Sequence, residues 1–166
     1  MEIAIISDTH LPRGPRTLPD MCLERLGAAE LIVHAGDFSR LEILEELTAL
    51  GPVIGVHGNT DDALLRAALP ESTVIGVGEG RKLGVIHDAG PSQGRLRRVR
   101  ARFPDADAVI FGHSHIPLHE RAPDGFQIFN PGSPTDRRRQ PRHTMGVCHV
   151  RSGALEFELI DLDCSG

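Results

Sequence analysis

The sequence predicts an α/β fold in which two β-sheets pack against each other and helices flank them. Three observations favour this fold. The first half alternates strand-length apolar segments with helical patterns, the second half is a series of short strands separated by turn residues, and no repeat or linker divides the 166 residues. A chain of this length buries a substantial core without disulfides or a structural metal. We therefore expect one domain spanning residues 1–166.

Five apolar segments of the first half have the length of buried strands, and each ends in a polar cluster. They are residues 2–7, 31–34, 53–57, 83–87 and 108–111. Helical patterns lie between the first three, at residues 18–26 and 41–50, and Ser39 is the expected N-cap of the second helix. This β-α-β order predicts right-handed crossovers, a mostly parallel sheet, and ligands bound beyond the carboxyl ends of its strands.

A further helix is predicted around residues 95–103, where Leu96, Val99 and Phe103 have the spacing of a buried stripe. The arginines among them then form the solvated face of this helix rather than a patch that binds nucleic acid. These arginines are Arg95, Arg97, Arg98, Arg100 and Arg102.

The pattern changes after residue 111, where four strand-length segments follow one another without a helical pattern between them. These segments are residues 116–121, 126–130, 145–150 and 154–160. Turn residues at 123–125 and 151–153 predict hairpins, so we expect the C-terminal part to be antiparallel. Residues 131–143 are rich in Pro and Arg and predict an exposed loop.

Composition narrows the functional classes. The net charge of -5 and the absence of Trp and Tyr argue against nucleic-acid binding, which uses clustered cations and aromatic stacking. Cys22, Cys148 and Cys164 are widely spaced and predict reduced thiols rather than a disulfide framework or thiolate zinc site. The apolar segments are shorter than the ~20 residues of a membrane span, and residues 1–2 do not begin a signal, so we expect a cytoplasmic protein without membrane association.

Potential metal ligands follow every apolar strand of the first half. One such motif alone favours a capping Asp or a hydrogen-bonded His, but five at successive strand ends indicate a shared site at one edge of a parallel sheet. Mixed carboxylate, imidazole and amide ligands suit Mn, Fe, Zn, Mg or Ni. The clusters are Asp8-Thr9-His10, Gly36-Asp37, Gly58-Asn59-Thr60-Asp61, His87-Asp88 and Gly112-His113-Ser114-His115.

Two divalent ions ~3.5 to 4 Å apart share an anionic ligand, activate a water and hold a phosphoryl oxygen. Asp37 is the natural bridge between two such ions. Gly36, Gly58 and Gly112 precede the candidate ligands, and their lack of a Cβ would let the backbone turn sharply and approach the metals closely.

The order of these motifs resembles the signature of the calcineurin-like metallophosphoesterases: D-x-H, G-D, G-N-x-[DE], H and G-H-x-H, between Asp8 and His115. The small size and the Asn-Pro-Gly-Ser sequence at residues 130–133 are most similar to the compact YfcE-like phosphodiesterase branch. The resemblance implies a four-layer α/β/β/α sandwich with two mixed sheets. It also implies a hydroxide that bridges two divalent metals, with Mn favoured, and attacks a small phosphodiester in line.

Carried over to this sequence, the resemblance implies that Asp8, His10 and His115 hold the first metal and that Asp37 bridges. The second metal would be completed by Asn59, His87 and His113. Asp37 and Asn59 are the catalytic candidates, and Asn59 would help stabilise charge on the phosphoryl oxygens.

Two positions depart from the family pattern. Thr60 stands where many relatives have a His that is thought to protonate the leaving group, which puts acid assistance in doubt. Asp88 replaces a usual Gly and could orient His87, act as an extra ligand, or be a turn residue; we favour the turn. Asp61 is expected to anchor the Gly58-Asn59 loop rather than to bind metal.

The remaining histidines are expected to be structural. His34 and His57 would be buried or hydrogen-bonding residues near the site, and His119, His143 and His149 belong to the antiparallel part, with His143 a possible residue of the site rim. Arginines are the candidates for binding the substrate phosphate, because their planar guanidinium groups suit phosphate oxygens. The candidates are Arg13, Arg16, Arg137, Arg138 and Arg139.

Two alternative functions remain. The retromer scaffold subunit shares the fold of this family and has lost catalysis, so the chain could be a protein-interaction scaffold. The substrate could also be a phosphomonoester. Every metal position of the family pattern holds a residue that can bind metal, which favours an enzyme over a scaffold. The sequence leaves open whether the chain forms a homo-oligomer.

Overall fold

The computed structural model describes residues 1–163, so the prediction for Cys164 lies outside the described residues. The elements in chain order are β1 (Glu2–Ile6), α1 (Asp20–Ala28), β2 (Leu31–His34), α2 (Leu41–Leu50), β3 (Val53–Gly55), α3 (Ala63–Ala68), β4 (Ser72–Gly76), β5 (Lys82–Ile86), α4 (Arg95–Arg102), β6 (Ala108–Ile110), β7 (Leu118–Arg121), β8 (Gln127–Asn130), β9 (Thr144–Arg151) and β10 (Ala154–Asp161).

The strands form two five-stranded mixed sheets, with the orders β10-β9-β1-β2-β3 and β4-β5-β6-β8-β7. In the first sheet β1, β2 and β3 are parallel, while β9 is antiparallel to both β1 and β10. In the second sheet β5, β6 and β8 are parallel, and β4 and β7 are antiparallel edge strands. The two predicted mixed sheets are confirmed.

Alternate residues of β1 show how the layers are built. Ile3 and Ile5 pack between the two sheets, with Val85 and Ile110 of the second sheet. Ala4 and Ile6 face the other way, in the cluster that holds residues of α1 and α2. Both faces of the strand are therefore buried over residues 3–6, which explains why these four residues are all apolar.

Helix α4 covers the other side of the sandwich. Val99 and Phe103 are buried against Val109 and Ile128, and Leu96 is packed there in part, which confirms the predicted stripe. The arginines of α4 are more than a solvated face, since Arg95 lies over the Phe111 ring and several others bind backbone carbonyls. With α1 and α2 opposite, the layers follow the predicted α/β/β/α order.

Several local predictions were wrong. Arg40, not Ser39, is the N-cap residue of α2. Strand β8 pairs parallel with β6, so the C-terminal part is not wholly antiparallel, although the hairpins β7-β8 and β9-β10 are present. Helix α3 and strand β4 were not predicted, because α3 has six residues and β4 is half-exposed without a clear apolar alternation.

The structure also bears on the predictions for the cysteines and for membrane association. Cys22 and Cys148 are buried free thiols, as predicted, and burial raises the pKa of each to about 12. Among residues 1–163, no helix has the length and apolar character that a membrane crossing requires.

Candidate metal centre

The candidate ligands come from five loops that follow β1, β2, β3, β5 and β6. We expected one edge of a single sheet, but the first three strands belong to one sheet and the last two to the other. The loops meet because the carboxyl ends of the parallel strands of both sheets lie at the same end of the sandwich. Strand order along the chain does not reveal this, since it does not say where one sheet ends and the next begins.

The first group consists of Asp8, His10 and His115, which are all buried. His115 Nε2 lies 3.4 Å from Asp8 Oδ1 and 3.2 Å from His10 Nε2. His10 Nε2 is 3.9 Å from the same carboxylate oxygen. One ligand atom from each side chain therefore faces a common space.

The second group contains Asn59, His87 and His113. Asn59 Oδ1 is 3.1 Å from His87 Nε2 and 3.0 Å from His113 Nδ1. His87 is buried, whereas Asn59 and His113 are exposed, so this half of the centre opens to solvent.

Asp37 lies between the two groups. Its Oδ2 atom is 3.7 Å from His10 Nε2 and 3.4 Å from His87 Nε2. Asp8, Asp37 and His87 also form a group that could hold an ion by themselves. All seven predicted ligands thus belong to one connected cluster in which Asp37 joins the halves.

Backbone carbonyls set the orientation of two ligand histidines. His87 Nδ1 bonds the Ala35 carbonyl at 2.8 Å, and His115 Nδ1 bonds the Asp136 carbonyl. Because a carbonyl only accepts, each Nδ1 carries the hydrogen, and in the neutral ring Nε2 keeps its lone pair. These lone pairs face the carboxylates, so the donor set fits divalent cations.

Burial and charge act in opposite directions on the ionisable groups. Burial raises the pKa of Asp8 to about 7, although the charge of His87 and a bond from Ser7 oppose it. Burial lowers the pKa of His115 to about 4 and also lowers that of His10.

Asp37 and His87 stabilise each other's charged forms. Burial would raise the pKa of Asp37, but the hydrogen bond and charge of His87, with bonds from Thr60, hold it below its usual value. Burial would lower the pKa of His87, but the bond to Asp37 and the charges of Asp8 and Asp37 raise it. The contact therefore favours an ionised Asp37 beside a charged His87.

A model described as the calcineurin-like phosphoesterase superfamily domain matches residues 1–153. The chain belongs to this superfamily. It is 34% identical over 162 residues to a probable metallophosphoesterase of Methanothermobacter thermautotrophicus. The alignment covers 96% of this chain and 92% of that protein. The family and this relative confirm the resemblance and support a metal-dependent phosphoester hydrolase.

Solved structures share the fold of this phosphoesterase domain. Vps29 from Entamoeba histolytica, crystallised with zinc, has a TM-score of 0.74 and 24% identity, over 98% of this chain and 100% of that one. A novel archaeal phosphodiesterase has a TM-score of 0.72 and 22% identity, over 96% of this chain and 100% of that one. At these identities the likeness is one of fold.

Glycines bring the ligand loops of the phosphoesterase domain into close contact. A Cβ at Gly58 would collide with the Asp37 carboxylate, and one at Gly112 would lie 2.7 Å from Asp8 Oδ2. Gly36 has a φ of +92°, and a Cβ there would lie 2.7 Å from His87 Nδ1. The lack of a Cβ at these three glycines therefore lets the backbone approach the ligand side chains closely, and the approach to the metals stays a prediction.

Asp61 and Asp88 have structural contacts. Asp61 is buried and accepts the backbone N–H groups of Asp37, Ser39 and Gly58, so it ties two ligand loops together as expected. Exposed Asp88 accepts from Gly90 N–H at 2.7 Å, which is the contact of a turn residue.

His34 is a buried hydrogen-bonding residue below the cluster. Its Nδ1 accepts the Gly36 N–H at 3.1 Å, its Nε2 lies 3.1 Å from Thr9 Oγ1, and its ring stacks on Phe38. Three further histidines have partners outside the ligand set: His119 bonds Gln127, His143 pairs with Asp163, and His149 pairs with Glu2.

A cavity of about 270 Å³ adjoins the exposed half of the cluster. His57 lies in its wall, and His57 Nδ1 is buried with no hydrogen-bond partner among the described residues. The full lining is His57, Gly58, Asn59, Arg66, Glu71, Ile86, His87, Asp88 and His113.

The candidate substrate arginines have different environments. Arg13 and Arg16 pair with Asp136 Oδ2 at 3.6 and 3.2 Å, and Arg137 donates to the Gln140 carbonyl within its own loop. Burial is the main cause of the low pKa values of His10 and His115, and the positive charge of Arg138 lowers both further. Arg138 is therefore the member of the 137–139 run whose charge acts on the cluster.

Residues 133–136 support the first group through contacts that the sequence did not identify. Ser133 Oγ donates to the Asp8 carbonyl at 2.8 Å and accepts from Asp136 N–H. Thr135 Oγ1 donates to the Thr9 carbonyl, and the Asp136 carbonyl orients His115. The Asn-Pro-Gly-Ser motif was the signal for this return to the site, but it did not identify which residues make the contacts.

Proposed function

We propose that the protein is a phosphodiesterase that uses two divalent metal ions. The observation that carries this proposal is the single cluster of seven donor side chains, in which Asp37 Oδ2 faces both His10 Nε2 and His87 Nε2. Asp8, His10 and His115 would hold one ion, and Asn59, His87 and His113 the other, with Asp37 shared.

Bound divalent ions would supply Lewis acidity, which activates water and neutralises charge on the phosphoryl oxygens. The chain supplies the placement. His87 and His115 are held by backbone carbonyls, and Asp37 is held by the loop after β3, so little reorganisation is needed on binding. Asn59 lies at the solvent-exposed side, where its amide would contact a phosphoryl oxygen as charge develops.

The likeness in fold to an archaeal phosphodiesterase supports a diester, and the cavity beside Asn59 and His113 offers space for one of its esterified groups. Most of its lining residues are polar and none is Phe, Tyr or Trp, so a small alcohol suits it better than a stacked base. Arg66 and Glu71 are residues of this wall whose side chains could hydrogen-bond the alcohol. The substrate class we propose is a small phosphodiester.

Replacing Asp37 by Asn tests the two-ion arrangement. We expect the native protein to bind close to two Mn²⁺ per chain by elemental analysis, and the variant to lose the shared anionic ligand. The hydrolysis rate of bis-p-nitrophenyl phosphate should fall by at least about 10²-fold, since changes even at groups behind the ligands cost 10 to 100-fold.

Asp105→Asn is the matched control, since it removes an exposed carboxylate that lies outside both the cluster and the cavity beside it. It should retain metal and most of the activity. Full metal content and activity in Asp37→Asn would contradict the two-ion proposal. Faster hydrolysis of p-nitrophenyl phosphate than of the diester would favour a monoesterase, and metal binding without hydrolysis of either would favour a scaffold.

A further inference from the structure

Thr60 contacts two candidate ligands that come from different loops. Its backbone N–H donates to Asp37 Oδ1 at 2.9 Å, and its hydroxyl oxygen lies 3.3 Å from His10 Nδ1. The hydroxyl also acts on the Asp37 carboxylate as a hydrogen-bond donor that helps to lower its pKa. Thr60 therefore joins a ligand that follows β1 to one that follows β2.

The direction of these bonds follows from donor and acceptor chemistry. The ionised Asp37 carboxylate only accepts, so the Thr60 hydroxyl hydrogen is donated to it. The hydroxyl oxygen then has lone pairs left for the hydrogen on His10 Nδ1. With its hydrogen on Nδ1, the neutral His10 ring keeps its Nε2 lone pair, and Nε2 is the atom that faces Asp8, Asp37 and His115.

The same arrangement occurs at two other ligand histidines. Backbone carbonyls of Ala35 and Asp136 hold Nδ1 of His87 and His115 and leave Nε2 facing the cluster. At His10 a side-chain hydroxyl takes the place of the carbonyl. This position is therefore sensitive to the residue type at 60, whereas the other two depend on the backbone.

We propose that Thr60 is a positioning residue that selects the metal-binding tautomer of His10 and aligns Asp37, rather than a source of the leaving-group proton. The proposal rests on the two-ion function proposed above. It gives a reason for Thr where many relatives have His: the hydroxyl accepts from one ligand and donates to the other at the same time. A neutral imidazole also has one donor and one acceptor nitrogen, but its rigid ring keeps them on opposite sides.

Two substitutions distinguish the role of the Thr60 hydroxyl from the role of its backbone N–H. Thr60→Val keeps the shape and the N–H to Asp37 but removes the hydroxyl, and Thr60→Ser keeps the hydroxyl. Thr48→Val is the matched control, because the Thr48 hydroxyl bonds the Leu44 carbonyl on α2. Circular dichroism and the unfolding midpoint establish that each variant is folded.

The tautomer of His10 is read in the metal-free protein at pH 8 from ¹⁵N–¹H correlations of its ring. We expect hydrogen on Nδ1 in the native protein, Thr60→Ser and Thr48→Val, and a shift towards hydrogen on Nε2 in Thr60→Val. Competition with a chelator should show about 10 to 100-fold weaker Mn²⁺ binding in Thr60→Val, the usual size of losses behind metal ligands.

An unchanged tautomer and unchanged Mn²⁺ affinity in Thr60→Val would overturn the proposal. So would a variant that binds Mn²⁺ normally but loses activity only on diesters with poor leaving groups, since that is the signature of a proton donor. The His10 tautomer and the Mn²⁺ affinity are both measured without any substrate. If all diesters are inert while Thr60→Val shifts the tautomer and weakens binding, the phosphodiesterase function fails and the positioning role stands.

Discussion

At the residue scale, the arginine run 137–139 divides into residues with different roles. Arg137 donates to Gln140 within its loop, whereas the charge of Arg138 acts on His10 and His115. We predict that Arg138→Gln raises KM for a diester about 10-fold while kcat and bound metal change little, because the guanidinium would bind substrate phosphate already in the ground state. Steady-state kinetics and elemental analysis measure both quantities.

Arg139→Gln is the control for Arg138→Gln, because it removes the same charge from the adjacent exposed position. Its KM should stay within about twofold of the native value. Equal effects of the two substitutions would mean that the run acts through its overall charge, and no effect of either would assign both residues to the solvated surface.

At the element scale, the loops after β2 and β3 are held together by Asp61. One carboxylate oxygen accepts from Asp37 N–H and Gly58 N–H, and the other accepts from Ser39 N–H. Asp61→Asn replaces one acceptor by an NH₂ group that faces backbone donors. We predict a loss of roughly 3 kcal/mol in the free energy of unfolding, since bonds to charged groups are worth about 1.5 to 3 kcal/mol each.

Urea unfolding of the metal-free protein measures this loss. Asp62→Asn is the control, because Asp62 caps α3 by accepting from Leu65 N–H and Asn caps almost as well. The control should change stability by less than about 1 kcal/mol. Equal midpoints for Asp61→Asn and the native protein would show that the two loops do not depend on this carboxylate.

At the scale of the whole molecule, pH should control metal binding. Burial raises the pKa of Asp8 to about 7, and the pKa of His87 is raised by Asp37 and Asp8 despite its burial. Below these pKa values both groups hold protons that a cation must displace, so binding weakens as pH falls. His115, with its pKa lowered to about 4 by burial, is already neutral in this range and adds no such dependence.

We therefore predict that the apparent affinity for Mn²⁺ rises about 10-fold per pH unit or more between pH 5.5 and 7. Each factor of 10 adds about 1.4 kcal/mol to the stabilisation by saturating metal, so the metal-induced rise in Tm should be larger at pH 7 than at pH 5.5. Calorimetry in two buffers of different ionisation enthalpy counts the released protons. Release of no protons at pH 6 would contradict the raised pKa values.

The sequence by itself determined the β-α-β-α-β order of residues 2–57, the two hairpins, the family and the set of candidate ligands. These features are local, because apolar strands, turn residues and metal-capable side chains are read over a few neighbouring positions. The Asp8-x-His10 and His113-x-His115 motifs are of this kind. The short α3 and the half-exposed β4 carry too weak a local pattern to be predicted.

Only the tertiary structure decided how the strands are divided between two sheets and which groups stand behind the ligands. Ser133 reaches the Asp8 carbonyl across 125 residues of sequence, and Thr60 reaches His10 across 50. Such contacts depend on β8 lying beside β6 and on both sheets sharing one end, and no short-range pattern records either. The residue types of the candidate site can therefore be predicted from the sequence, whereas the hydrogen bonds that orient them arise from packing between distant segments.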